Sequence, residues 1–220
     1  MARIRVFTGH FGSGKTETAL NYALWLAGQQ KRVCLADLDI VNPYFCSRDV
    51  KEVLEQNGIR VISAETSLSN AELSVIPPEI NTVFNDKTYE VVMDVGGDDL
   101  GSVALGQFGR HFRAEPYDMY FVINQHRPLT ATKEAVLDYM NQIQAASRLR
   151  VTHLVSNTNM SLETTVADVL AGDQFVAEIA DKLQLPHAFT VCTSNLRSEV
   201  TGKTKAPVFG IQIFMKPPWM

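Results

Sequence analysis

The sequence is short of cysteine: three in 220 residues, Cys34, Cys46 and Cys192, far apart and odd in number. With no Cys-x-x-Cys pair and no Cys/His cluster, neither a disulfide framework nor a zinc site is expected, and free thiols in a reducing compartment are the plain reading. An excess of positive charge is also missing. Twenty Lys and Arg stand against 24 Asp and Glu, a formal net charge of −4, which offers nucleic acid no general attraction. No apolar run approaches the roughly 20 residues that span a bilayer, and the opening apolar segment is interrupted by Gly9 and His10 too early for a secretory leader. A cytoplasmic protein without a membrane or nucleic-acid partner is expected. Disorder is excluded by 45% hydrophobic and 20% charged residues. With no repeat, low-complexity tract or linker-like shift in composition, residues 1–220 read as a single domain.

What the chain does have is punctuation by short apolar runs that end in polar residues. Ile4 to Thr8, Arg32 to Asp37, Tyr89 to Asp94, Met119 to Asn124 and Val151 to Asn157 read as strands, with Ile59 to Ile62 as an edge strand. Helical spacing marks Gly14 to Ala27, stopped by Gly28, and Thr132 to Ala146. Alternation of strands and helices predicts an α/β fold, a three-layer, doubly wound, mostly parallel sheet. In such a sheet ligands collect beyond the carboxyl ends of the strands. That is where the glycine turn, Asp37, Asp94, Asn124 and Asn157 fall.

Between the first strand and the first helix stands Gly9-His10-Phe11-Gly12-Ser13-Gly14-Lys15-Thr16, a P-loop pattern in its required strand-to-helix context. Backbone N–H groups at Gly9, Gly12, Ser13 and Gly14 converge on phosphate oxygens, and the helix that follows, with Glu17 in its first turn, offers its positive end. Lys15 places a cation on the terminal phosphates and is the first expected catalytic residue. The Thr16 hydroxyl ligates Mg2+. The strand ending at Asp94 supplies a carboxylate for that ion, and the following Gly96 or Gly97 brings a backbone N–H toward the terminal phosphate; Gly97 is the expected binding residue. Asp98 and Asp99 read as solvent-facing. Together these features predict a P-loop NTPase, a single nucleotide-binding domain with a magnesium cofactor.

Val33-Cys34-Leu35-Ala36-Asp37-Leu38-Asp39-Ile40-Val41-Asn42-Pro43 resembles the Asp-x-Asp segment of the deviant-Walker ATPases, the MinD/ParA class that includes the nitrogenase iron protein and CooC-like nickel-insertion ATPases. With the P-loop, Asp94 and Asn157, the likeness runs from about Arg3 to Asn157. It implies that Asp39 orients the attacking water and that Asp37 supports the magnesium shell, although Asp37 also reads as a cap for the next helix. It further implies that Asn157 hydrogen-bonds the base. Asn157-Thr158-Asn159-Met160 stands where an Asn-Lys-x-Asp guanine reader would be, so ATP is the expected nucleotide. One departure concerns the family's second P-loop lysine, which reaches across a nucleotide-sandwiched dimer: His10 occupies its place, shorter and mostly neutral at pH 7. Arg48 is a candidate for the missing charge, and a surface arginine is the other reading.

The function expected is a magnesium-dependent ATPase, slow in hydrolysis, whose nucleotide state sets a conformation or a homodimer that an unidentified protein partner reads. A small-molecule kinase or ligase of the dethiobiotin synthetase kind shares the fold and is the alternative, with Glu65 to Ile80 as the stretch for an acceptor site. A scaffold that binds without turnover is a third reading, should His10 disable hydrolysis. Arg110-His111-Phe112-Arg113 reads as an ordinary helix end, with contact to a partner or nucleic acid as the alternative, and Asn124 to Pro128 as a helix-entry loop, with flanking of the nucleotide or a partner as the alternative. The tail from Val208 to Met220 has prolines and too few basic residues for a membrane-surface helix, and is expected to lie on the core or a partner. His153 and His187 read as packed or surface histidines.

Overall fold

Residues 1–38, 48–63, 78–97 and 99–215 are described in the structure, a computed structural model. They form the strands β1 (Ile4–Thr8), β2 (Val33–Asp37), β3 (Arg60–Ser63), β4 (Glu90–Asp94), β5 (Tyr117–Ile123), β6 (His153–Ser156), β7 (His187–Thr193) and β8 (Val208–Ile211). Between them run α1 (Lys15–Gly28), α2 (Arg48–Gln56), α3 (Ile80–Asn85), α4 (Asp99–Gly106), α5 (Gly109–Ala114), α6 (Lys133–Ser147), α7 (Val166–Leu183) and α8 (Arg197–Val200).

The eight strands make one sheet in the order β3-β2-β4-β1-β5-β6-β7-β8, and each pairing is parallel. The sequence pattern requires this. β1, β2 and most of β4 are buried at every position, so both faces of the sheet must be covered. Successive residues then feed opposite layers. Ile4, Val6, Val91 and Met93 enter one core with Phe84 of α3, Leu105 of α4, Ile143 of α6 and Ile179 of α7. Phe7 and Val92 enter the other, against Leu20 and Ala23 of α1 and Leu54 of α2. Each such large side chain taken fully out of water contributes about 1.5–3 kcal/mol. The three-layer, doubly wound arrangement expected from the sequence is therefore present, fully parallel among the described strands.

One of the buried charged side chains lies within β1. Arg5 alternates with the apolar positions of β1, and its Nη1 donates to Glu90 Oε2 at 2.7 Å while its guanidinium lies 5.7 Å from the Tyr22 ring centre. Pairing is what makes the burial tolerable.

β1 coincides with the expected strand, and the other expected elements shift by one or two residues at their ends. β3 is indeed an edge. Arg110–Arg113 lies within α5, where Phe112 joins the core and His111 stacks on Phe84 at 4.3 Å. His153 packs at 4.8 Å on Tyr120, and His187 lies beside Thr190 and Asp173. The segment after Val208 adds β8 to the sheet and then crosses the start of α1. Elements beyond Asn157 were not anticipated. α7 opens with a reciprocal cap, in which Thr165 Oγ1 accepts from the Asp168 N–H and the Asp168 carboxylate accepts from the Thr165 N–H; this Thr-x-x-Asp spacing is a readable helix start. Among the described residues, no helix is long and apolar enough to cross a membrane.

Candidate functional site

β1 sits between β4 and β5, so the turn leaving it emerges at the middle of the sheet's carboxyl edge. The chain tightens there: the Ser13 N–H donates to the His10 carbonyl at 2.9 Å, and Gly14, with φ 81°, turns the backbone into α1. A side chain at Gly14 would be doubly excluded, because a Cβ there would lie 2.1 Å from Asn157 Nδ2. Thr18 Oγ1 then donates to the Gly14 carbonyl at 2.8 Å and fixes the first turn. Lys15 is 95% removed from solvent (5% exposed). A buried ammonium at a helix N-terminus beside a glycine turn is an anion-binding arrangement.

On one flank of this loop lie oxygens. Thr16 Oγ1 donates to Asp94 Oδ2 at 2.7 Å, joining the loop to the tip of β4. The β2–β4 register sets Asp37 directly beside Asp94, and both carboxylates are buried. Among the described residues no group of three or more His, Cys, Asp or Glu comes together as a metal cage. Two carboxylates and a hydroxyl are instead a partial set of hard oxygen donors, which fits Mg2+ completed by phosphates and water. Gly97 closes this flank: a Cβ on it would sit 1.9 Å from the Gly9 carbonyl oxygen, so only glycine allows the approach. The Tyr139 hydroxyl of α6 donates to the Gly97 carbonyl, and the Tyr139 ring meets His10 edge-on at 5.0 Å. His10 is thus packed beside the loop. Burial lowers its pKa below the ordinary 6.5; a backbone hydrogen bond at Phe11 opposes this, and the nearby Arg127 and Lys15 cations push it further down.

The other flank is built from amides. Asn157 Nδ2 donates to the Ser13 carbonyl at 2.7 Å. Asn124 Nδ2 donates to the Asn159 carbonyl at 3.0 Å, and Asn159 Nδ2 to the Asn157 carbonyl at 2.8 Å. Arg127 Nε donates to the Gly12 carbonyl at 2.9 Å. Beside Gly14 and Asn157 a cleft opens, walled by Thr158, Thr193, Ile211 and Ile213. Its last wall is held by α1 itself: Asn21 exchanges two hydrogen bonds with the backbone of Gln212, each 2.9 Å, and the Glu17 carboxylate accepts from the N–H groups of Phe214 and Met215.

The structure therefore brings together Gly9, Gly12, Ser13, Gly14, Lys15, Thr16, Asp37, Asp94, Gly97 and Asn157. Glu17, expected among the nucleotide-binding residues, lines the cleft but directs its carboxylate to backbone amides. Asp39, Asn42, Pro43 and Asp98 lie outside the described residues, as do residues 65–77 of the expected Glu65 to Ile80 acceptor stretch; α2 begins at Arg48, whose side chain is also outside them. Sequence reasoning missed Tyr139 and Thr193, and singled out Arg127 only as part of the Asn124 to Pro128 stretch. For Tyr139 and Thr193 no local pattern signals a role, while Arg127 belongs to a polar stretch directly after a strand of the ligand edge.

No protein-family model matches the sequence, and no curated protein matches it. Solved structures do. The chain is 19% identical to the cell division protein FtsY from Thermotoga maritima, with a TM-score of 0.56 over 84% of this chain and 60% of that one. It is 17% identical to the signal recognition particle receptor FtsY from Elizabethkingia anophelis in complex with GDP, TM-score 0.53, over 84% and 55%. A nucleotide-binding protein from Archaeoglobus fulgidus in complex with ADP gives 17% identity and a TM-score of 0.50 over 88% and 83%. The chain thus spans less than two thirds of the length of these FtsY chains. Its parallel α/β architecture is shared with these structures.

Proposed function

We propose that this protein binds a nucleoside triphosphate with Mg2+ in the glycine loop, hydrolyses it slowly, and presents the difference between triphosphate and diphosphate states to a partner protein or a second copy of itself. The observation that carries the reading is the Thr16–Asp94 contact, which couples the loop's hydroxyl to a buried carboxylate on a separate strand where a P-loop site needs both.

The roles follow from placement. Lys15 and the start of α1 hold the phosphates. Thr16, Asp94 and Asp37 hold Mg2+, which when bound neutralises charge on the phosphate oxygens. Gly97, in contact with Gly9 and tied to α6 through Tyr139, is placed to relay loss of the terminal phosphate into the helical layer. By resemblance to the deviant-Walker ATPases of the MinD/ParA class, Asp39 orients the water. The base enters the cleft beside Asn157. Adenine is favoured by the lack of an Asn-Lys-x-Asp reader, and the neighbour holding ADP supports that choice while the one holding GDP makes GTP its competitor. Exposed apolar side chains around the same edge, Phe11 at 67%, Leu129 at 54% and Leu162 at 76%, support a protein surface as the reader.

Thermal unfolding tests the proposal. Ligand at 100 times its dissociation constant adds about 2.7 kcal/mol, which raises the midpoint of a chain this size by roughly 5–11 °C. The expected outcome is such a rise with Mg-ATP, a smaller one with Mg-GTP, and none for Lys15→Ala. Absence of any shift in the unsubstituted protein rejects the reading. Release of free phosphate by the protein alone separates an ATPase from a kinase, which needs an added acceptor.

A further inference from the structure

The glycine loop has one conspicuous substitution for the resemblance it bears, a histidine at position 10, whose imidazole is shorter than a lysine and has its pKa lowered by burial. Lys15 and a magnesium ion would leave part of a triphosphate's charge uncompensated. A second cation is nevertheless present at the loop. Arg127, in the segment between β5 and α6, donates through Nε to the Gly12 carbonyl at 2.9 Å. The guanidinium lies over Gly12, so that a Cβ there would fall 2.8 Å from Nε and 2.9 Å from Cζ. The side chain is exposed, and among the described residues Nη1 and Nη2 make no hydrogen bond. One donor is spent on fixing the guanidinium to the loop, and the remaining fork is held at the loop's surface.

Resting on the function proposed above, we propose that Arg127 is a ligand of the terminal phosphate of the nucleotide bound in its own loop, supplying in cis the second positive charge that position 10 does not. The chemistry suits the part. A planar guanidinium offers paired donors matched to phosphate oxygens, and it stays charged at any physiological pH. Because its anchor is a carbonyl of the loop itself, the fork moves with the phosphate cradle and is pre-oriented before ligand arrives, which reduces the ordering cost of the contact. The position also gives selectivity: a group poised at Gly12, in the first half of the turn, gains most from a terminal phosphate and little from a diphosphate held nearer Lys15 and α1.

Calorimetric titration of the full chain with Mg-AMP-PNP and Mg-ADP, and with Mg-GMP-PNP and Mg-GDP in parallel, tests this. Arg127→Ala is expected to weaken the triphosphate analogue about tenfold or more and the diphosphate less than about twofold, and Arg127→Lys to recover part of the loss. Arg127→Gln, which keeps a donor for the Gly12 carbonyl without the charge, should behave as Arg127→Ala does; this separates phosphate binding from bracing of the loop, and serves if the alanine variant does not fold. Equal weakening of triphosphate and diphosphate, or full retention of triphosphate affinity in Arg127→Gln, overturns the proposal. So does a loss that disappears on dilution below the concentration at which the protein self-associates, since it would put the guanidinium on the nucleotide of a second copy. If the unsubstituted protein binds none of the four nucleotides, the nucleotide reading falls and this one with it, an outcome recognisable because it does not depend on residue 127.

Discussion

The two flanks of the glycine loop are held together by different chemistry. On the side of β4, acidic oxygens crowd: Asp94 and Asp37 lie side by side and Thr16 donates to one of them. On the side of β6, neutral amides donate to backbone carbonyls, from Asn157 to Ser13 and from Asn159 to Asn157. The first flank brings like charges together next to where an anion would bind, which a bound cation would favour. The second is satisfied by itself and needs no ion. On the proposed function, a metal-responsive flank and a metal-indifferent one meet across a single turn, and the nucleotide contacts both.

The sharpest way to break the comparison is Gly97→Ala. Its methyl would intrude on the Gly9 carbonyl, a backbone atom that cannot rotate away, and the expected loss is about 3 kcal/mol, seen as a midpoint lowered by roughly 6–12 °C; an unchanged midpoint would show that the β4 flank is not packed on the loop. Next in size, Asp94→Asn should remove roughly tenfold of the gain in nucleotide affinity that Mg2+ confers, measured by titration with and without EDTA, whereas Asn157→Ala should weaken nucleotide binding by a similar factor equally in both conditions. Should Asn157→Ala alter the metal response instead, the two flanks are not separable. The smallest effect concerns Glu17. Burial raises its pKa above 4.5, against the pull of the Met215 and Phe214 amides. A carboxyl whose folded pKa is raised contributes stability that is present below the unfolded value and lost as pH rises through the folded one. Melting curves taken from pH 4.5 upward should therefore show the parent losing ground against Glu17→Gln as the carboxyl ionises.

The β4 flank was legible in the sequence and the β6 flank only in part, for a physical reason. Lys15, Thr16 and Asp94 stand at the ends of strongly apolar strands or at a glycine turn, so local pattern places them at the ligand edge without knowledge of strand order. Asn157 was placed the same way. The cleft beside it was not, because β7 and β8 were unread: β8 is four residues long, contains Gly210 and directly follows Pro207, and neither strand has the uninterrupted apolar run of β2. Glu17 shows the limit most plainly. Its spacing from Lys15 predicts a place at the nucleotide, yet the amides that take up its carboxylate lie 197 and 198 positions away, a partnership that only the completed sheet creates.

That separation has a consequence for how the protein is made. Ile211 and Ile213 close a cleft that begins at Gly14, so a chain still emerging from the ribosome carries its glycine loop long before that cleft has its far wall. On the proposed function, recognition of the base must wait for β8, long after the loop that grips the phosphates has been made.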